Sequence, residues 1–118
     1  MTTAKVYFSD LRTSFKESLP SKIVRLAERA GIDKVVSRRN LVAVKLHFGE
    51  KGNTAFIRPI LVKPILQKVK ELKGSPFLTD SNTLYAGTRG DSVSHLLTAA
   101  QNGFTYPVID APVIIADG

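Results

Sequence analysis

Acids, an imidazole and a lysine are the groups in this sequence placed to do chemistry. Asp10, His47, Asp80 and Asp117 each stand at the carboxyl side of a short apolar run: VYF before Asp10, LVAVKL before His47, PFLT before Asp80 and APVIIA before Asp117. Glu50 follows His47 by three residues, and Ser81 and Asn82 follow Asp80. In open parallel sheets, ligands bind beyond the carboxyl ends of the strands, where loops and helix N-termini converge. If these runs are neighbouring strands, His47, Glu50, Asp80 and Asp117 meet within metal-ligand reach, and a hard divalent cation or a polar substrate suits them. The plainer reading keeps Asp80, Asn82 and Asp117 as turn and cap residues, common after any strand. Lys45 lies inside an apolar run and needs either a neighbouring Asp, an anionic ligand, or a route to solvent for its charge.

Other motifs are weaker. The loop Gly49-Glu50-Lys51-Gly52-Asn53-Thr54 has glycines that let backbone N–H groups approach an anion. It lacks the spacing of a Walker A loop, and no G-x-G-x-x-G is present. Arg89-Gly90-Asp91 reads as a turn and an N-cap, and His95 as a boundary residue of a helix. Ser81 and Ser94 have no Ser-His-acid constellation around them, which disfavours a hydrolase.

The elements that must position these groups alternate. Strands are expected over Lys5–Leu11, Leu41–Phe48, Pro76–Asp80 and Ala111–Ala116. Between them, helices are expected from Ser18 to Gly31 with Leu19, Ile23, Leu26, Ala27 and Ala30 on one stripe, and over Ile57–Lys73 with Leu61, Ile65, Val69 and Leu72. A third should run from Asp91 or Ser92 to Asn102-Gly103 with Val93, Leu96, Leu97 and Ala100 inward. Pro64 should bend the second helix. Leu41–Phe48, apolar on both alternating sets, is the expected central strand. The resulting class is α/β, a three-layer Rossmann-like sandwich around a mainly parallel sheet of about four strands.

Composition bounds the function. The 118 residues suit a single α/β unit, and 43% hydrophobic with 23% charged residues is ordinary globular usage. With no Cys there is no disulfide, catalytic thiol, thiolate zinc site or Cys-ligated cluster in this chain. No apolar run reaches about 18 residues and no signal-peptide h-region opens the chain, so a soluble cytoplasmic protein with no membrane partner is expected. The net charge of +7 spreads over Lys22, Arg25 and Arg29, over Lys34, Arg38 and Arg39, and over Lys63, Lys68, Lys70 and Lys73. These read as solvated helix faces rather than a nucleic-acid groove, since no aromatic interleaving accompanies them, and they could attract an acidic partner.

Three blocks carry a family resemblance: VAVKLHFGEKGNTAFIRP (42–59), PFLTDSNTLYAGTRGDSVSHL (76–96) and NGFTYPVIDAPVIIADG (102–118). They are similar to the N-terminal part of the family known as domain of unknown function 362, whose members are often labelled iron-sulfur cluster-binding proteins. The resemblance implies a longer redox protein whose 4Fe-4S clusters sit in a Cys-rich, ferredoxin-like stretch that this chain does not contain. It also brings Asn53, Thr54, Tyr85, Arg89 and His95 into view beside His47, Glu50, Asp80, Asn82 and Asp117. Lys45 and Arg89 are then expected to meet negative charge on a ligand. A strand that stops at Asp117-Gly118 reads as a domain cut short, an N-terminal fragment. The remainder of the polypeptide, an acidic redox partner or a second copy joined through exposed strand edges are the expected partners.

Overall fold

Residues 3–117 are described by the computed structural model; Gly118, the second residue of the expected stop at Asp117-Gly118, lies outside them. Helix α1 (Leu19–Ala30) starts where Ser18 accepts a hydrogen bond from the Ser21 N–H, with Pro20 in its first turn. It ends at Gly31, whose φ of 93° no β-carbon would tolerate cheaply and whose N–H closes the last turn on Ala27 and Glu28. A short α2 (Ile32–Val35) leads to β1 (Leu41–Lys45), α3 (Pro59–Glu71), β2 (Ser75–Ser81), α4 (Ser92–Gln101) and β3 (Val113–Ala116). Pro64 lies inside α3 and is buried, so the segment before it is part of the helix rather than a separate turn.

The sheet is open, parallel and ordered β1-β2-β3, with Val44 beside Leu78 and Asp80 beside Ile115. One core lies on one of its faces. Leu46, Phe48, Leu78 and Ile115 meet Val62 and Leu66 of α3, Ala99 of α4, and Phe104 and Ile109 from the turn before β3. The α/β class and the small Rossmann-like arrangement are therefore as expected, with three strands in place of about four and, among the described residues, helices packed on one face of the sheet in place of both. Among the described residues no helix covers the opposite face, and none is long and apolar enough to cross a membrane.

Three details depart from expectation. Lys5–Leu11 forms no strand. Asp10 instead accepts a 2.7 Å hydrogen bond from Lys22 Nζ, which ties it to α1, and a local one from the Arg12 N–H, and Val6, Phe8 and Leu11 stay exposed. As a result β1 is an edge strand and β2 is the central one. On α4 the expected inner stripe faces solvent: Val93, Leu96, Leu97 and Ala100 are exposed, while His95, Thr98 and Ala99 are buried.

Candidate functional site

At the carboxyl end of the sheet, Arg89 stands between two carboxylates. It is 3% exposed, and it reaches Glu50 from the loop after β1 and Asp80 from β2. Its Nε and Nη2 donate to Glu50 Oε1 at 3.0 and 2.5 Å, and its Nη1 donates to Asp80 Oδ2 at 3.2 Å. The Tyr85 hydroxyl accepts from Nη2 at 2.5 Å and donates to the same Glu50 oxygen at 2.6 Å. Two backbone-level devices place the guanidinium. The Thr83 N–H bonds to Arg89 O, closing the loop after β2, and buried Thr98 of α4 donates to Thr88 next door.

Asp80 has a second set of partners. Its Oδ1 accepts from the Ser81 N–H and lies 3.2 Å from Lys45 Nζ, so the lysine of the apolar run finds a neighbouring Asp while most of it stays in solvent. Its Oδ2 lies 3.8 Å from Nε2 of His95, which is fully buried. The Asn82 amide donates to Asp117, so its oxygen faces His95 Nδ1 at 3.0 Å and that nitrogen carries the proton. His95 Nε2 is left with no hydrogen-bond partner among the described residues.

Four of the expected residues thus converge on Arg89 or Asp80: Glu50, Tyr85, Lys45 and, through His95, Asn82. His47 sits at the rim, its Nδ1 accepting from the Gly49 N–H and its Nε2 3.8 Å from Glu50, beside a shallow cleft of about 460 Å³ shared with Ala55, Phe56 and Ile57. Among the described residues Asp117 reaches only Asn82. Asn53 spends its side chain on the Ala55 N–H as a turn residue, and Thr54 is exposed beside it. Among the described residues no three His, Asp or Glu groups are arranged to hold a metal ion, because a guanidinium already fills the space between the two best carboxylates. His95 is the member that hydrophobic patterning passes over. Its i, i+3, i+4 spacing with Thr98 and Ala99 marks the inner arc of α4 once that arc is allowed to be polar.

The match to known proteins starts at the same place as the site. The family model for Domain of unknown function (DUF362) matches residues 42–118, about two thirds of the chain. The chain belongs to the DUF362 family. No curated protein and no solved structure matches it. Every residue of the Arg89 network falls within the DUF362 match, while Asp10 and the exposed segment before α1 fall outside. This DUF362 chain has no Cys, so no iron-sulfur cluster can be held by thiolates of its own.

The electrostatics of the DUF362 site lead to an expectation of lower stability in acid. Hydrogen bonds from Arg89 and then Tyr85 hold the Glu50 carboxyl below its ordinary range, against burial. Burial works against the Arg89 charge, but Glu50 and Tyr85 keep it above its ordinary value. Burial also pushes His95 down, with Asp80 pulling it back up and Arg89 and His47 adding to the depression. A His lowered on folding contributes stability above its unfolded pKa, and that stability is lost as pH falls below about 6.5 toward the folded value. Lowered Glu50 follows with the same sign below about 4.5. Urea midpoints should therefore fall from pH 7.5 to pH 5, with His95 contributing a slope of at most about 1.4 kcal/mol per pH unit. His95→Gln should flatten that segment. Equal midpoints for the unmodified chain at pH 7.5 and 5 would contradict the assignment.

Proposed function

We propose that this chain is a binding unit for a small polar organic anion carrying a hydroxyl or amino group, seated at the carboxyl ends of β1 and β2. The observation that supports this reading is the buried Arg89 bridge between Glu50 and Asp80. Among the described residues all of the side-chain contacts to Glu50 use Oε1, which leaves its second oxygen to accept from a ligand hydroxyl or amine. Lys45 Nζ, mostly in solvent, and the Nε2–H of His47 stand at the same rim as donors for the ligand's negative group. A divalent cation between His47, Glu50, Asp80 and Asp117 is less favoured, since it would have to displace Arg89 from both carboxylates. Within a longer redox protein of the family, the unit would hold the substrate while a cluster elsewhere carries electrons; that part of the reading rests on the resemblance alone.

The basic faces support a binding-module reading less well. Lys22, Arg25, Lys68 and Lys70 are each paired within the chain, with Asp10, Glu17, Glu28 and Asp110. Calorimetric titration with L-lactate, L-serine, inorganic phosphate and manganese(II) chloride separates the alternatives. Saturable heat with lactate or serine, lost in Glu50→Gln and in Lys45→Met, is the expected result. Heat with manganese alone would replace the organic anion by a cation, and heat with none of the four would end the proposal.

A further inference from the structure

The sheet has a bare side. Leu41, Ala43 and Lys45 on β1, Phe77 and Thr79 on β2, and Ile114 and Ala116 on β3 lie on the face away from the core, with Leu41 80% and Ile114 51% exposed at its edges and Phe77 and Thr79 half-buried at its centre. Parallel strands are ordinarily covered on both faces. Among the described residues of these strands the only charge on this face is Lys45, and buried Asp80 compensates it. In a chain of net charge +7, it is a nearly neutral apolar patch.

The same chain carries an apolar segment that is only partly seated: Ser9, Asp10 and Leu11 line a small cleft with Leu19, Ile23 and Leu26 of α1 and Leu61 of α3. Residues 5–15 have the composition of a strand and a turn, yet Val6 is 89% and Phe8 85% exposed, and Leu11 and Phe15 are bare as well. Their attachment is at the α1 end, through Asp10 to Lys22 and through the Ser14 and Glu17 backbone pair. The free edge of β1 offers unpaired backbone groups for an extended segment.

We infer that a second copy of this chain covers the bare face, with the 5–15 segment of each copy laid across the β1 edge and open face of the other. Area decides between this arrangement and simple face-to-face stacking. Three strands about 4.8 Å apart and five residues long offer roughly 250 Å². A stable interface needs about 800 Å² per partner. Phe8 and Phe15 of the segment, at roughly 150 Å² each, with Val6 and Leu11 beside them, supply most of the difference. The exchange is isologous, so each dimer contains two identical segment-on-face junctions.

Sedimentation velocity on the whole chain, from micromolar to several hundred micromolar, tests this. A monomer–dimer equilibrium is expected, and it should tighten with added salt because two +7 chains repel; docking onto an acidic partner would weaken instead. Val6→Asp/Phe8→Asp removes the segment's anchors, and Ile114→Lys places a charge on the face. Each should weaken dimerisation at least tenfold while the circular dichroism spectrum stays that of the parent. Mixing the two variants restores one of the two junctions, so a heterodimer should form at concentrations where neither variant self-associates. A parent that stays monomeric throughout overturns the inference, as does a dimer unaffected by both variants. Dimers lost in each variant but not recovered on mixing would also refute segment-on-face exchange.

Discussion

Arg89→Met should lower the unfolding free energy by about 3–5 kcal/mol, the usual cost of removing one partner from a buried ion pair. For a chain of this length that is a fall in Tm on the order of 10–20 °C. The cost is unevenly divided. The Glu50 side chain, 34% exposed, can rehydrate when the guanidinium leaves, whereas the Asp80 side chain, at 5%, cannot. Lys45 remains 3.2 Å from Asp80 but approaches from solvent and reaches the other oxygen, so it replaces little of what Arg89 supplied. Two companions isolate the cause. Arg89→Met/Asp80→Asn removes the stranded charge and should recover about half of the loss, since a neutral buried amide costs less to desolvate than a carboxylate. Arg89→Lys keeps a charge but cannot reach Glu50, Tyr85 and Asp80 from one planar fork, so it should fall between Met and wild type. Arg89→Met within 1 kcal/mol of wild type in urea unfolding would mean that the bridge does not hold the two strand ends together.

The same residues show what could be read from the chain in advance. His47, Asp80 and Asp117, with Glu50 three residues after His47, are legible because apolar runs announce strands, and the polar residue that follows such a run lies at the carboxyl edge of a parallel sheet wherever the run pairs. The role of Arg89 is not. It sits 39 residues from Glu50, and only the loop closed by Thr83 N–H and Arg89 O brings it back under the strand ends. The inverted face of α4 has the same origin. Apolar periodicity puts Val93, Leu96 and Leu97 inside, but the helix must present His95 to Asn82 and Thr98 to Thr88, and those polar bonds set its rotation. Lys5–Leu11 misleads for another reason. Its composition is that of a strand, but strand formation requires a partner edge, and composition carries no information about whether one is within reach.

Gly49→Ala should be among the most destabilising single-methyl changes in the chain, at about 2–5 kcal/mol, combining left-handed backbone strain with overpacking. Its φ is 87°, and a β-carbon there would lie 2.6 Å from Asn102 Nδ2 and 2.6 Å from a Phe56 ring carbon. Neither neighbour is free to yield. The Asn102 amide donates to Phe48 O, and Phe56 packs on Phe104, which meets Phe48 edge-on at a 5.1 Å centroid distance. Phe48 also stacks edge-on against His95, so displacement at Gly49 runs directly into the buried side of the Arg89 network. Glu50 is the next residue, and a shift of its backbone pulls Oε1 away from the guanidinium. Gly52 provides the control, with a φ of 81° and nothing within 4 Å of the β-carbon position. Gly52→Ala bears only the backbone strain, partly offset by a less flexible unfolded chain, so it should cost about 1 kcal/mol. Comparing the two by urea unfolding separates strain from collision, because conformation is nearly the same at both glycines and only Gly49 has neighbours. Equal losses would place the whole effect in the backbone and remove the steric link between this loop and the site, whereas a gap of 1 kcal/mol or more, accompanied by weakened lactate or serine binding in Gly49→Ala alone, would show that the aromatic packing beneath the loop holds Glu50 in register with Arg89.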